Sequence, residues 1–369
     1  MIGYILKRIL FMVPTLFGIM LINFIIIQAA PGGPVQQILS KMRGQGSDID
    51  MRFGGADDSM IMGGTNSSFS NDNMSNYKGA QGIDPAFIKE LEKQFGFDKP
   101  AHKRFYLMVK NYLTFDFGKS YFSDQTVFSL VAEKLPVSIS LGLWTTFFVY
   151  LISIPLGVAK AVRDGTQFDI WTSALVIIAY AVPSFLFALF LIIVFAGGSF
   201  FSFFPLRGLV SDYHDQLSWF EQIKDYFWHL TLPLTAMIMS GFAKLTLLTK
   251  NSFLEEINKQ YVVTARAKGA PKRRVLYNHV FRNAMLIVIA GFPSAFIAVL
   301  FTSSLLIEVL FSLDGLGLLG FEAALSRNYP VMFGTLYMFT LLGMVLHLLG
   351  DLCYMLVDRR IDLSASRGH

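Results

Sequence analysis

The sequence predicts an all-α, polytopic membrane protein with six membrane-spanning helices. Hydrophobic residues make up 53% of the 369 residues and charged residues only 15%, whereas soluble domains carry about 25% charged residues. This composition argues against a soluble enzyme, a disordered chain and a nucleic-acid-binding protein. Six apolar stretches are long enough to cross the bilayer, which takes about 20 helical residues. They are residues 9–30, 136–159, 169–196, 229–249, 284–311 and 331–357.

The first apolar stretch has two interpretations. Ala29 and Ala30 resemble the cleavage end of a secretory signal peptide, and Lys7 and Arg8 precede the stretch. The apolar part of a signal peptide is shorter than this one, however, and five further spans follow. We therefore expect residues 1–30 to remain as the first transmembrane helix.

The distribution of lysine and arginine predicts that both termini are cytoplasmic. With the N-terminus inside, the inner loops and termini hold 15 Lys and Arg residues, including those of a tail at 358–369. The two short outer loops hold only Arg207, Lys224 and Arg327. Short cytoplasmic loops are enriched in basic residues, and long loops are translocated largely regardless of charge.

The segment 31–135 is predicted to be extracytoplasmic, followed by a transmembrane core at 136–357. Residues 40–82 are rich in Gly, Ser, Asn and Asp and are expected to be flexible. Residues 84–120 are expected to form a small folded subdomain. One helix is predicted from Asp84-Pro85 to about Gly96, and a second from Pro100 with Phe105, Met108 and Tyr112 on one face.

The inner loop 250–282 predicts a short amphipathic helix. Ser252 and Glu255 have the spacing of a capping box, Gly269 fits a C-terminal cap, and Pro271 would prevent continuation. The residues alone allow two interpretations: a helix lying on anionic lipid, or a docking element for a cytoplasmic partner. The apolar positions at helical spacing are Phe253, Leu254, Ile257, Tyr261, Val262 and Ala265.

Sequence motifs for chemistry within this chain are missing. The sequence has no P-loop, no G-x-S-x-G and no H-E-x-x-H, and its six histidines do not pair at metal-ligand spacing. We therefore expect neither catalysis nor a metal or cofactor in this chain. An intramembrane hydrolase built from scattered Ser, His and Asp residues is the weakest alternative.

Charged residues within the spans are few and lie near the span ends. An intramembrane charge is a functional candidate by default, but Lys244 can reach the inner headgroups and Glu308 lies close to the outer interface. Asp351 and His347 lie in the inner half of the last span. A proton-coupled carrier would place carboxylates near the midplane, so this pattern argues against one. Prolines within spans, such as Pro183, are interpreted as structural kinks.

Several motifs resemble one family, the permeases of the dipeptide and oligopeptide class of ABC importers. Glu308, Phe311 and Gly315-Leu316-Gly317 match a family stretch, with Asp314 where proline is common. Segments 31–34, 95–100 and 115–120 are similar to the family's extracytoplasmic region. The most specific match resembles the loop that importer permeases insert into a groove of the ATPase. It comprises Tyr261-Val262-Val263-Thr264-Ala265-Arg266-Ala267-Lys268-Gly269 and His279-Val280-Phe281-Arg282-Asn283-Ala284.

One departure from the general importer pattern is visible in this loop. General importers carry Glu-Ala-Ala before the glycine, and this chain has Val263-Thr264-Ala265, as is usual in the peptide class. Three further runs, 135–144, 204–211 and 327–337, are similar to a subgroup that imports oligopeptides and also admits the peptide-nucleotide antibiotic microcin C.

The resemblance implies a permease subunit in a bacterial inner membrane that imports oligopeptides by alternating access. It implies three kinds of partner besides the lipid bilayer: a homologous second permease, ABC ATPase subunits that bind ATP and magnesium, and an extracytoplasmic peptide-binding protein. The alternatives are a secondary carrier for peptides or other solutes and a membrane receptor or assembly subunit. The implied ATPase-coupling residues are Tyr261, Thr264, Ala265, Arg266, Ala267, Lys268, Gly269, His279, Arg282 and Asn283.

Overall fold

The structure, a computed structural model, describes four stretches of the chain. Predictions made for residues 31–34, 40–82, 84–98 and 358–369 lie outside them. The described residues are 2–29, 99–197, 200–298 and 304–357.

The described residues form helices joined by turns and loops and contain no β-strand. Two of the helices are continued by a short π-helical segment, Ile192–Ala196 after α5 and Leu276–Val280 after α8. The helices in chain order are α1 (Ile2–Ala29), α2 (Ala101–Leu113), α3 (Val127–Val162), α4 (Gln167–Ala181), α5 (Ser184–Leu191), α6 (Trp219–Ile257), α7 (Gln260–Ala267), α8 (Lys272–Val275), α9 (Phe281–Ala298), α10 (Ser304–Leu310), α11 (Leu316–Leu325) and α12 (Tyr329–Val357).

Five helical stretches are long and apolar enough to span a membrane, and α4 with α5 makes a sixth if the pair counts as one span. Two of them are much longer than the sequence predicts. α3 has 36 residues and begins at Thr126, whose side chain accepts a hydrogen bond from the Ser129 amide. α6 has 39 residues and begins with a capping box formed by Ser218 and Glu221. These caps start both helices several residues before the apolar stretches.

The predicted span 169–196 is broken in the middle. α4 and α5 meet at an angle of 92°, and Pro183 is the residue directly before α5. Proline lacks a backbone N–H and forces its predecessor toward extended angles, so the α4 helix cannot continue past this point. Val182 accordingly has an extended conformation. The sequence predicts a kink at Pro183, and the structure has a right-angle break there.

Helices α3 and α6 form the central pair of the bundle. Two glycines allow their backbones to approach closely. A Cβ atom at Gly157 would lie 2.6 Å from Cβ of Thr249, and one at Gly241 would lie 3.1 Å from a methyl of Val149. Small residues at such crossings are typical of membrane helices, where close packing replaces the hydrophobic drive for association.

Helix α2 confirms the prediction of a helix after Pro100 with one apolar face. Phe105 packs edge-on against two rings of α1, with centroid distances of 5.6 and 5.3 Å. Tyr112 is buried and stacks on Tyr337 of α12 at 5.3 Å. Met108 packs in the same cluster. The apolar face of α2 is thereby fixed to the first and last membrane helices.

Candidate coupling site

The segment from Ser252 to Gly269 folds into two helices instead of one. The predicted helix start at Ser252 is wrong, because α6 continues without interruption from Trp219 to Ile257. The chain breaks at Asn258 and Lys259, and α7 then begins at Gln260. No proline or glycine interrupts residues 250–257, so the helix continues beyond the predicted end of the span at residue 249. The Ser252 hydroxyl donates instead to the Ala284 carbonyl of α9, at 2.7 Å.

The predicted end of the segment is confirmed. Gly269 has φ +82°, a conformation that glycine adopts without steric cost. Its amide donates to the Arg266 carbonyl at 2.9 Å, and the Ala270 amide donates to the Ala265 carbonyl at 3.2 Å. These two bonds define a Schellman motif. After Pro271 the chain begins a new helix, α8, so this proline redirects the helix.

The predicted apolar face is confirmed, although it is divided between α6 and α7. Val262 and Phe253 are both completely buried, in one cluster with Val280 and Ala284. Leu254, Ile257, Tyr261 and Ala265 pack against the same cluster. Phe253 also meets the Phe281 ring edge-on at 5.6 Å. The apolar side of α7 is therefore fixed to the ends of α6 and α9.

Polar contacts attach α7 to the same two helices. The Tyr261 hydroxyl donates to the Glu256 carboxylate at 2.6 Å and accepts from the Asn283 amide at 3.3 Å, so two predicted site residues meet here. Lys259 is ion-paired with Glu256, and with Glu255 at 3.7 Å. The hydrogen bond to Glu256 raises the pKa of Lys259, and burial followed by the bond to Glu256 raises the pKa of the Tyr261 phenol. Both groups therefore keep their protons at neutral pH.

The opposite side of α7 faces outward. Thr264, Ala267, Lys268 and Gly269 are exposed, and Ala265 is half-buried. Val263 is 55% exposed, a high value for a valine in a region with a packed apolar face. Arg266, His279 and Arg282 are also exposed. Helix α7 thus has one anchored face and one open face, while the predicted residues His279, Arg282 and Asn283 lie outside it, in the segment Leu276–Val280 and in α9.

Sequence reasoning missed a buried ionic cluster at the same end of the molecule, which we call the loop end. The Lys160 side chain is completely buried, and its ammonium lies 3.0 Å from the Asp169 carboxylate. Hydroxyls of Thr172 and Ser173 accept from the same ammonium at 2.9 and 2.7 Å. In the sequence, Lys160 counts among the 15 basic residues of the inner loops and termini, because position in the chain does not reveal burial.

Lys250 of α6 completes this cluster. Its ammonium lies 2.7 Å from Asp169 and 2.8 Å from Asp164. The cluster therefore joins α3, α4 and α6 where the segment leading to α7 begins. Its formal charges, two positive and two negative, cancel.

A second buried carboxylate lies at the opposite end, which we call the far end. Glu308 of α10 is completely buried. It accepts a hydrogen bond from the Ser138 hydroxyl at 2.8 Å and from the Leu318 amide at 3.0 Å. Cβ atoms added at Gly315 and Gly317 would lie 2.5 and 2.8 Å from the Glu308 carboxyl group. The glycines of this family motif therefore make room for the carboxylate.

The other charged residues predicted within spans have simpler surroundings. Arg8 of α1 is ion-paired with Asp351 of α12 at 2.7 Å, so these two residues join the first and last helices. Lys244 and His347 are exposed on the surface of the bundle. The far-end Lys134 is ion-paired with Asp314, the residue that stands where proline is common in the family.

The helical bundle, its apolar spans and the loop helix α7 are as expected for a permease subunit of an ABC importer, and the comparisons show this class. The family model described as "Binding-protein-dependent transport system inner membrane component" matches residues 153–363. This match covers more than half of the chain, so the protein belongs to this family. The resemblance found in the sequence is confirmed, and the protein is a multi-pass component of an inner membrane.

Two relatives are similar over nearly the whole length. The "Peptidoglycan transport system permease protein YejB" of Agrobacterium fabrum is 60% identical, and the "Inner membrane ABC transporter permease protein YejB" of Escherichia coli is 54% identical. Each alignment covers 98% of both chains. The subgroup to which residues 135–144, 204–211 and 327–337 point is this Yej subgroup, and these relatives confirm it.

More distant matches extend the family. The "Oligopeptide transport system permease protein AppB" of Bacillus subtilis is 30% identical, with 98% of this chain and 100% of AppB covered. A crystal structure of the MetNI methionine ABC transporter in an inward-facing conformation has a chain that aligns with a TM-score of 0.50 and 18% identity. The alignment covers 63% of this chain and 98% of that one. At this identity the likeness shows the fold alone.

Proposed function

We propose that this permease imports oligopeptides, including peptides released from peptidoglycan, and that α7 couples transport to ATP hydrolysis on partner subunits. The names of the relatives from Agrobacterium and Bacillus support transport of peptidoglycan fragments or oligopeptides. Import of microcin C is part of the same proposal, because it rests on the Yej subgroup.

One observation carries the coupling proposal: α7 is exposed on one face and fixed to two spans by the other. Val262 and Phe253 are fully buried between the ends of α6 and α9, and Tyr261 bonds to Glu256 and Asn283. A groove on an ATPase can accept a short helix of this kind. Because packed interiors do not deform continuously, a movement of α7 would be passed to the helices that hold it.

The proposed transport mechanism depends on the length of α6, one of the two helices that hold α7. α6 has 39 residues, which corresponds to roughly 58 Å of helix, long enough to connect the loop end with the far end. ATP binding would close two partner ATPases and draw the coupling helices of two permeases together. The cavity between the permeases would then open outward to receive peptide from an extracytoplasmic binding protein, and hydrolysis would reverse the movement.

The cytoplasmic side is assigned to the loop end. The exposed cations of residues 259–274 lie there, as expected for a cytoplasmic loop. In this orientation both termini would be cytoplasmic, as the distribution of basic residues predicts. ATP and magnesium would bind to the partner ATPase, because this sequence carries no P-loop.

The test is the substitution Gly269→Val in the assembled importer in proteoliposomes. The space around Gly269 is open, but its φ of +82° disfavours a branched side chain, so the cap of α7 should be disrupted. We expect peptide uptake per ATP hydrolysed to fall at least tenfold while the protein still inserts. Gly118→Val is the matched control, since Gly118 has φ +79°, open surroundings and a position far from α7.

The outcomes separate the alternatives. Unchanged peptide uptake per ATP in Gly269→Val would refute coupling through α7. Peptide uptake that depends on an ion gradient and does not require ATP would indicate a secondary carrier. Uptake assays with oligopeptides and with peptidoglycan-derived peptides, together with microcin C sensitivity of cells, test the substrate class separately.

A further inference from the structure

A cavity of about 630 Å³ opens at the loop end beside α7. Two of its walls are the last residues of membrane helices: Val162 ends α3 and Ile257 ends α6. Tyr277 forms a third wall from the segment that leads into α9. The cavity therefore lies beside the last residues of two membrane-spanning helices.

Three cations line this cavity: Arg266 of α7 and Lys272 and Arg273 of α8. All three are exposed. Within the part of the chain that the structure describes, none of them has a carboxylate within ion-pair distance, in contrast to Lys160 and Lys250. Arg273 instead lies over the Tyr277 ring, 6.0 Å from its centroid. Three like charges held together without counter-ions create a strong preference for an anion.

The remaining walls are apolar and open. Val162 and Tyr277 are each 54% exposed, which leaves hydrocarbon surface uncovered directly beside the cations. A free inorganic anion would bind the cations and leave these apolar walls exposed to water. A molecule with a negative headgroup and hydrocarbon chains would contact both the cations and the apolar walls.

We propose that this cavity is a binding site for an anionic phospholipid. The phosphate would lie among Lys272, Arg273 and Arg266, and the upper acyl chains would cover Val162 and Ile257. Basic pockets between membrane helices bind anionic headgroups in this way, and the volume is in the usual range of about 300–1,000 Å³ for small-molecule sites. The bound lipid would fill the space between α8 and the ends of α3 and α6, next to the coupling helix. This proposal depends on membrane insertion and is independent of the transported substrate.

The experiment titrates the full chain, purified in detergent, with phosphatidylglycerol or phosphatidylcholine and counts bound lipid by native mass spectrometry. We expect preferential retention of phosphatidylglycerol. The double variant Lys272→Gln/Arg273→Gln should weaken it by roughly 30-fold, the factor for two basic residues near an anionic membrane surface. The matched control is Lys103→Gln/Lys110→Gln, which removes two exposed lysines from α2 and should leave retention unchanged.

A second variant keeps the test decisive if the double variant fails to fold. Val162→Glu places a carboxylate at an exposed position of the apolar wall and should also abolish the preference for phosphatidylglycerol. Equal retention of both lipids by the unmodified chain, or unchanged retention in both variants, would overturn the proposal.

Two further arms identify the source of the anion. Sodium phosphate at millimolar concentration should not displace phosphatidylglycerol, because phosphate gains nothing from the apolar walls; full displacement would indicate a site for soluble phosphate. In the assembled importer, loss of the ATPase subunit from Lys272→Gln/Arg273→Gln with normal lipid retention would show that the cations bind a partner protein instead.

Discussion

The loop end and the far end of the bundle each bury a carboxylate, and they stabilise it differently. At the loop end, Asp169 accepts from the ammonium groups of Lys160 and Lys250 at 3.0 and 2.7 Å. At the far end, Glu308 accepts from the Ser138 hydroxyl and the Leu318 amide in a space made by Gly315 and its neighbours. The two sites are far apart, since Ser138 and Lys160 are separated by 22 residues of α3, or roughly 33 Å.

The loop-end carboxylate is held by two ammonium groups, and the far-end carboxylate lies in a space that glycines leave open. The loop-end cluster depends on ions from three helices, and removing one ion leaves its partner buried. The far-end site includes the space left by two glycines of one short segment, with one hydroxyl and one backbone amide among its donors. We therefore expect the loop end to be sensitive to charge changes and the far end to be sensitive to added volume.

The largest effect is expected from Asp169→Asn. This change leaves Lys160 completely buried without its carboxylate, and breaking a buried pair costs about 3–5 kcal/mol. The Thr172 and Ser173 hydroxyls would remain as its acceptors. The measurement is thermal unfolding of the purified chain in detergent, where a clear drop in the midpoint is expected.

The control for Asp169→Asn removes both ions together. Lys160→Met/Asp169→Leu leaves Lys250 paired with Asp164, so no isolated charge is buried. Replacing a buried pair by apolar residues of similar size is often nearly neutral. The double variant should therefore recover most of the stability lost by Asp169→Asn. If it is as unstable as the single variant, burial of a lone lysine is not the cause.

A smaller effect is expected from Gly315→Ala at the far end. The new Cβ would lie 2.5 Å from the Glu308 carboxyl carbon, and overpacking of this kind costs about 1–3 kcal/mol. Gly320→Ala in α11 is the matched control, because among the described residues outside the helix backbone its Cβ would meet the Thr335 hydroxyl at 3.9 Å and nothing nearer, and alanine favours the helix. Gly315→Ala should lower the midpoint of thermal unfolding, and Gly320→Ala should not. Equal midpoints for the two variants would contradict the role of Gly315 in making room for Glu308.

The sequence predicts the spans from the length of their apolar stretches, and it predicts the apolar face of residues 252–269 from the helical spacing of apolar residues. Val262, Phe253 and Ile257 are recognisable by their spacing, and Gly269 by its position after the last turn. The helix start at Ser252 is wrong because a capping box is a local pattern, and the uninterrupted α6 overrides it. The real capping box is Ser218 with Glu221, at the other end of the same helix.

The ionic sites could not be predicted because their partners are distant in the chain. Lys160 and Lys250 meet at Asp169 only after three helices pack together, and in the sequence both lysines are typical of a cytoplasmic loop. Glu308 is part of a family motif, but its interpretation as a residue close to the interface misses its burial. The glycines at 315 and 317 could have indicated a close approach, since glycine in a helix-rich segment often marks one.

The smallest effect is expected from Ser252→Ala, which tests whether neutral hydroxyl links at the loop end matter as much as those at the far end. The Ser252 hydroxyl donates to Ala284, a helical carbonyl that keeps its position in α9 without it, so its loss should cost about 0.5–1 kcal/mol. Ser138→Ala should cost more, about 1–3 kcal/mol, because it removes a donor to Glu308 and leaves the buried Leu316 amide without its acceptor. Thermal unfolding of the two variants measures the difference in stability. A larger loss of stability from Ser252→Ala would mean that the hydroxyl joining α6 to α9 contributes more to stability than the hydroxyl at the buried carboxylate site. The contrast between the two ends would then be reversed.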